Sequence, residues 1–410
     1  MSAALIRALG LMAPLLAVVL AAVLQRRLDE RRIAAALLAT GWNLLVLAVV
    51  NLVGWWSFHA EGGVVAGIPV DLLLGWALLW GALPALAFPL APVPLIAAAL
   101  AWLDLALMPL AEPVVVLGPQ WLTGEAVAVA LALVPGLLIA RWTVLGSRLG
   151  ARAVFQVLLA AGLGVLLPVA VLEAWRQPGW MLALMVQALA VPGVLGLAAV
   201  REFAVSGGGT PLPYDPPRHL VTGGPYAYVR NPMQVAMTAG YLLLSLLDMR
   251  LLGGAAISFA YGAGLAAWHE GDQLDRRFGQ AWRDYRARVR PWAPRLRPAM
   301  PPARVYVAAG CGQCSQVGAW IERHRPVGLD VVPAEGHPAG LRRITYERLG
   351  GPDAQGVAAI AHVLTHIHLG WALVGWLLLL PGVRGFAQLC VDALGGGPRD
   401  LHGVPLSGRG

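Results

Sequence analysis

The chain contains no lysine. All 30 of its basic residues are arginine, and charge of either sign is scarce: only 13% of its 410 residues are Asp, Glu, Lys or Arg. A soluble chain carries about 25% charged residues to cover its surface. With 58% hydrophobic residues and a mean hydropathy of +0.67, a soluble globular fold is excluded and a multi-pass membrane protein is expected. The net charge of +8 would suit a nucleic-acid partner. The arginines, however, lie in short loops between apolar runs, where membrane topology accounts for them, so nucleic acid is excluded as a partner. Cysteine is also scarce. Three in a chain this long exclude a disulfide framework. Cys311 and Cys314 form a single C-x-x-C, and Cys390 reads as a packed apolar residue. The apolar N-terminal run ends at Gln25-Arg26-Arg27 without a cleavage-site pattern, so it reads as a first transmembrane helix rather than a removed signal.

A helix needs about 20 apolar residues to cross a bilayer. Nine runs qualify, roughly over 4–24, 33–53, 70–89, 93–111, 122–140, 153–172, 180–200, 232–248 and 251–269. The pair joined by Pro89-Leu90-Ala91-Pro92 also reads as a re-entrant hairpin. Three loops are rich in arginine: the first holds Arg26, Arg27, Arg31 and Arg32, the second Arg141, Arg148 and Arg152, and the third Arg201, Arg218 and Arg230. Nine crossings put all three on one side, which the positive-inside rule makes cytoplasmic. The chain is then expected in the inner (cytoplasmic) membrane, with its N-terminus outside and everything after His269 in the cytoplasm. Asn43, Asn51 and Asp104 fall within or near apolar runs. Each reads as lining a substrate path or as an interhelical or interfacial hydrogen-bonding group. Residues 202–217, with Ser206-Gly207-Gly208-Gly209-Thr210-Pro211, read as loop. Leu274, Phe278, Trp282, Tyr285 and Val289 recur at three- and four-residue spacing in an otherwise charged stretch. That spacing predicts an amphipathic helix on the membrane surface, packed back over the preceding hairpin. From Arg304 the pattern changes to strand, Cys311-Gly312-Gln313-Cys314, helix, strand, the opening of a thioredoxin-like domain. Residues 354–394 read as helical, and the apolar run Leu369–Leu380 is too short for a crossing. The expected fold is an all-α multi-pass membrane protein of about nine transmembrane helices with a small C-terminal α/β thioredoxin-like domain.

Polar groups gather at both mouths of the last hairpin. Gly223-Gly224-Pro225-Tyr226 suits close backbone approach to a ligand. Arg230 is a fixed cation at the head of a helix begun by Pro232, and Glu270 returns a carboxylate to the same membrane face. Cation, aromatic and anion together fit a cofactor that carries both a carboxylate and a cationic centre.

The pattern L-V-T-x-G-P-Y-x-x-x-R-N-P-M, then H-E-x-x-x-L-x-x-x-F-G and W-x-P-R, resembles the isoprenylcysteine carboxyl methyltransferase and phospholipid methyltransferase family over about residues 180–297. The resemblance implies an integral membrane enzyme that uses S-adenosylmethionine without a Rossmann domain. It implies cofactor contacts from His219, Leu220, Val221, Tyr226, Asn231, Pro232, Gln234 and Glu270, with Arg230 and Glu270 as catalytic residues. Asn231 stands where the family usually has His, Gln234 where it has Tyr, and Gly271 where it has a second Glu. Ala266 replaces an arginine of the prenylcysteine enzymes, which argues against a prenylcysteine carboxylate and leaves a lipid, thiol or other lipophilic acceptor. Residues 304–399 resemble the DCC thiol-disulfide oxidoreductase-like proteins, with Gly310 in place of the usual Asp. Cys311 and Cys314 then read as a redox pair with a thiol partner, or as half of a zinc site completed by His324 or His337; the redox reading is taken, with no metal. The expected organisation is a transmembrane scaffold over 1–178, a methyltransferase-like membrane domain over 179–300 and a thioredoxin-like domain over 301–400. The competing reading is a non-catalytic membrane scaffold or redox sensor.

Overall fold

The computed structural model describes residues 2–25, 28–212, 214–310, 312–338, 340–348 and 353–398; within these, the side chains of residues 265–270 and 313 lie outside the description. The chain divides into two compact units. The first is Met1–Arg176 with Gly209–Pro216, and the second is Gln177–Gly208 with Pro217–Gly410.

The first unit is helical: α1 (Ala3–Leu24), α2 (Glu30–Asn51), α3 (Val70–Ala87), α4 (Val93–Leu107), α5 (Trp121–Leu145) and α6 (Leu149–Val171). Short antiparallel pairs cap it, β1 (Trp56–Phe58) with β4 (Val115–Leu117) and β2 (Val64–Val65) with β3 (Ile68–Pro69). Four of the helices contain a proline beyond their first turn, and three of these prolines, Pro84, Pro135 and Pro168, lie in α3, α5 and α6. Each of these three is preceded by a wider π turn, over Leu78–Ala82, Val129–Leu133 and Gly162–Leu166. A proline removes one ladder bond and crowds the carbonyl four residues back, and a π turn relieves both. In α1, Pro14 denies the Gly10 carbonyl its helical partner, and that oxygen faces Gly75 of α3, where any Cβ would lie only 1.9 Å away. Glycine at position 75 is therefore what lets α1 and α3 approach. Asn43 and Asn51 bond back to their own helix, to Ala39 O at 2.8 Å and Leu47 O at 2.7 Å, rather than across helices; Asn51 also accepts from the Trp56 indole. The segment 209–216 belongs to this unit through a buried Arg152–Asp215 ion pair at 2.8 Å and a Gln156–Tyr214 hydrogen bond at 2.9 Å.

The second unit begins with α7, which spans Gly179–Gly207 and so extends into residues expected as loop. A final π turn, Phe203–Gly207, carries it there before Gly208 ends it in the left-handed conformation. Next come α8 (Pro232–Leu244), packed along α7, and α9, built from Leu252–Ala260, a π turn Tyr261–Ala266 and Ala267–Phe278. Gly279, with φ +50°, separates it from α10 (Gln280–Arg288). Beyond lie β5 (Ala303–Val307), α11 (Gly312–Arg323), β6 (Leu329–Pro333), β7 (Thr345–Arg348) and β8 (Ala354–Gln355), then α12 (Val357–Leu364), α13 (Leu369–Leu379) and α14 (Val383–Val391). The sheet order is β6-β5-β7-β8. The β5–β6 pair is parallel, with Val305 opposite Val331, and the other two pairs are antiparallel.

Seven helices among the described residues, α1 to α7 with their end turns, are long and apolar enough to cross a membrane, against the nine expected. The eighth expected crossing is a 13-residue helix. Its apolar run continues, but Asp248 accepts from the Arg250 backbone and turns the chain there. The ninth expected run forms the first part of α9, which continues without a break to Phe278, so the amphipathic stretch begins within the same helix rather than in a separate one. Helix α13 is too short alone. With Val383–Gly396 it forms an apolar pair bent by 93°. One face of α13 is buried on α7: Ala372 and Trp376 pack with Ala198, Tyr228 and Met300. Cys390 is exposed, not packed, on the same helix as exposed Phe386 and Leu389.

Candidate functional site at the Gly-Pro-Tyr loop

The site is built from the loop between α7 and α8. Gly223 and Gly224 turn over the end of α7, and Gly224 has φ +56°. A Cβ at Gly224 would lie 3.2–3.4 Å from the Glu202 side chain, and one at Gly223 would meet the Arg348 guanidinium at 2.1 Å. The two glycines therefore leave room for a polar pair beneath them. Glu202 is buried at 5% exposure; it accepts from Ser206 Oγ at 2.8 Å and from both Arg348 terminal nitrogens at 3.3 Å. Nothing in the local sequence signals this pair, because its members lie 146 positions apart.

Past the turn, Tyr226, Ala227, Tyr228 and Val229 are all buried. The Tyr226 ring packs on Phe203 and shares a core with Val221, Trp282, Tyr285 and Val289, with Leu220, Leu274 and Phe278 at its edge. The amphipathic stretch thus presents one apolar face, as its spacing implied, but that face packs onto this loop and α7 rather than chiefly over the hairpin. The Tyr285 hydroxyl donates to Tyr226 O at 2.9 Å, and the Tyr228 hydroxyl donates to Thr365 O at 2.9 Å. Burial pushes both phenols well above their ordinary range, which keeps them protonated as donors. A strap after α10 closes the other side. Arg230 N donates to Arg290 O at 2.8 Å, Asn231 N to Pro291 O at 3.3 Å, Arg295 N to Tyr228 O at 2.9 Å and Ala299 N to Ala227 O at 2.9 Å.

Arg230 stands at the centre of this arrangement. Its guanidinium lies over the Trp282 ring, 5.6 Å from the centroid. Desolvation lowers its pKa first, and nearby Arg286 adds to the effect. Among the described residues it has no carboxylate partner. The Trp282 indole N–H beneath it is buried and also unpartnered. A guanidinium with no carboxylate partner and an indole N–H with no acceptor among the described residues, beside a second arginine, form an anion-seeking patch.

Of the residues expected at the cofactor, Leu220, Val221 and Tyr226 share the buried core, Arg230 covers it, and Asn231 and Pro232 open α8. Gln234 lies with Trp292 against Gly262, where a Cβ would lie 2.9 Å from each. His219 is exposed and is held by its backbone N to Gly207 O at 3.2 Å. Glu270 lies on α9, with its side chain outside the described residues. Cys311 also lies outside them, and Cys314 is half-buried on α11 against the sheet core, in a different part of the unit. No group of three or more metal-ligating side chains occurs among the described residues.

Residues 179–281 match the phospholipid methyltransferase family. The matched segment runs from the start of α7 to the start of α10, and so contains the loop, Arg230 and both helices of the hairpin. None of the curated proteins compared with the chain matches it, and no solved structure does. Together with the apolar helices, the family match supports an integral membrane methyltransferase.

Proposed function

We propose that the second unit transfers a methyl group from S-adenosylmethionine to a lipophilic acceptor drawn from the membrane. The observation that carries this reading is the Arg230–Trp282 patch within the family-matched segment: a half-buried guanidinium with no carboxylate partner among the described residues, lying over a buried indole N–H without an acceptor among them. A cofactor with a carboxylate fits those donors, and charge-assisted bonds of this type are the strong ones. S-adenosylmethionine, when bound, supplies a methyl group activated on a sulfonium, which needs no metal. The chain's own part is to align and to exclude water. Arg230 orients the anionic end. The Tyr285–Tyr226 bond and the strap over residues 290–295 hold the loop rigid around it. Asn231 and Gln234, in place of a titratable His and a Tyr, offer amides that bind but move no proton. Glu270 takes the cofactor's cationic side, a role that rests on the family resemblance.

The acceptor is read as a membrane lipid or another lipophilic molecule. We read the site as lying at the cytoplasmic face of the inner membrane, a reading that the arginine-rich loops support through the positive-inside rule. That placement is insensitive to whether α8 and α9 cross fully, since a helical hairpin returns both ends to the same side. We further read residues 301–400 as a thioredoxin-like domain with a thiol redox partner. Support comes from the β-α-β order, with its parallel first pair and antiparallel later strands, and from Cys314 in the first turn of the helix between the parallel pair.

Titration calorimetry of the detergent-purified protein with S-adenosylmethionine tests the proposal. Saturable binding is expected, weakened about 10- to 150-fold in Arg230→Ala, the equivalent of the roughly 1.5–3 kcal/mol that a charged hydrogen bond contributes. Absence of saturable binding in the wild type would leave the hairpin as a scaffold.

A further inference from the structure

Between α13 and α14 the chain turns by 93°. Beyond that corner α14 and the π turn that extends it to Gly396 divide into two faces. Arg384, Gln388 and Asp392 recur at every fourth residue along one side. Gln388 Oε1 accepts from Val357 N at 2.9 Å, at the start of α12, and Asp392 accepts from both terminal nitrogens of Arg343 at 2.6 and 3.0 Å. These bonds fix which face looks outward. The outward face carries Val383, Phe386, Cys390 and Leu394 at helical spacing, all exposed, Phe386 by 71% and Leu394 by 84%. Exposed Val374 and Leu377 continue the apolar surface back along α13, which packs on α7, a helix long and apolar enough to cross a membrane. That continuity makes the surface lipid-facing, and an amphipathic helix of this kind lies in a bilayer interface.

Gln388 and Asp392 have partners within the chain, and Arg384 does not. Among the described residues the exposed Arg384 guanidinium makes no ion pair and no hydrogen bond. The half-buried Arg201 guanidinium, on α7, makes none either, and the two lie within electrostatic reach of each other. Arg201 stands between exposed Leu197 and Val205, one turn to either side, and shares a narrow crevice with Leu379, the last residue of α13. Glu202, the next residue, attracts Arg201 but is bonded to Arg348 and Ser206. Two like charges held together on an apolar surface repel, and both the repulsion and the cost of the charges are relieved by an anion between them. Guanidinium groups match phosphate oxygens in pairs, and the surrounding apolar residues match acyl chains. We propose that this corner binds an anionic phospholipid, its phosphate between Arg201 and Arg384 and its chains over Phe386, Leu389 and the Leu197–Val205 strip of α7. Basic groups beside membrane helices on the cytoplasmic side hold such headgroups. The bound lipid ties α14, and through Gln388 and Asp392 the C-terminal sheet, to the bilayer. The site is separate from the Arg230–Trp282 patch and does not depend on methyl transfer.

Native mass spectrometry of the delipidated protein in detergent resolves each bound lipid. The protein is titrated with phosphatidylglycerol and with phosphatidylcholine of the same chains, with no methyl donor present, so the result is independent of the methyltransferase reading. The first phosphatidylglycerol is expected to bind about 30-fold more tightly than phosphatidylcholine, and Arg384→Gln or Arg201→Gln should each remove about fivefold of that preference. Arg323→Gln, an exposed arginine on α11, makes the same change in net charge and should leave the preference intact. Phe386→Ser keeps both cations and should weaken both lipids. Equal affinity for the two lipids in the wild type overturns the proposal. So does a preference that survives in Arg384→Gln, whose exposed side chain carries no part of the fold. Displacement of phosphatidylglycerol by equimolar inorganic phosphate, with Phe386→Ser binding as the wild type does, would make the corner a site for free anions and overturn the lipid assignment.

Discussion

The pair beneath the Gly-Pro-Tyr loop makes the sharpest energetic prediction. Glu202 and Arg348 are close to fully enclosed, with 6% and 12% side-chain exposure, and the glutamate's other partner is a neutral serine hydroxyl. Replacing Arg348 by methionine keeps the stem and removes the charge, leaving a buried carboxylate with one neutral donor. Breaking a buried pair from one side costs about 3–5 kcal/mol. Replacing both partners with apolar residues of similar volume, Glu202→Leu with Arg348→Met, removes the stranded charge and is expected to recover most of that loss. Ser206 would then lose its acceptor, a cost of about 1 kcal/mol. Reversible unfolding in mixed micelles, followed by tryptophan fluorescence, gives the four corners of a double-mutant cycle. Strong coupling of about 2 kcal/mol or more is expected, with the double variant more stable than Arg348→Met alone. Additive effects, or a single-variant cost below about 1 kcal/mol, would mean that the pair is solvated and does not hold the loop.

Three further outcomes follow from particular contacts. His366 donates Nδ1–H to Val327 O at 2.7 Å, so its Nε2 accepts from the Tyr346 hydroxyl at 2.8 Å, and Tyr346 stacks on His362. Burial first, and Arg348 among the nearby cations, depress His366 from 6.5 to about 4 and His362 from 6.5 to about 3. Below pH 6.5 the unfolded chain takes up protons that the folded chain refuses. Stability is therefore full above that pH and falls toward pH 4 by up to about 1.4 kcal/mol per pH unit for each histidine, and His366→Gln should flatten the slope of unfolding free energy against pH. Gly262→Leu should sharply reduce methyl transfer by wedging Gln234 from Trp292, whereas Gly253→Ala, with no neighbour within 4 Å, should leave it intact; a labelled-donor assay compares them. Trp282→Phe keeps a ring under Arg230 but loses the N–H, so calorimetry should show cofactor affinity reduced about 2- to 13-fold.

Much of the helical framework was legible because apolar runs of crossing length have few alternatives. The packed face of Leu274, Phe278, Trp282, Tyr285 and Val289 was legible because helical spacing puts those residues on one side. Hydropathy does not see a turn inside an apolar run, so the end of α8 near Asp248 was hidden, and α7 was read as ending before its last π turn. Composition likewise could not foretell that Cys390 would be exposed on a helix whose neighbours are also apolar and exposed. The loop motif pointed to the segment that the family match covers, but not to what holds the loop. Glu202 lies just before the last turn of a hydrophobic helix and Arg348 ends a distant strand, and only the fold unites them. Trp282 looked like one more apolar residue in the amphipathic stripe; its role under Arg230 depends on the angle at which α10 meets the loop.

The most direct test is methyl transfer itself. Membranes containing the protein are incubated with S-adenosylmethionine labelled in its methyl group, the lipids are extracted, and label is compared with membranes lacking the protein. The account predicts label in the lipid fraction that falls at least tenfold in Arg230→Ala at subsaturating donor and recovers in part at high donor concentration. Label no greater than in membranes without the protein, or equal label in Arg230→Ala at every donor concentration, would contradict it.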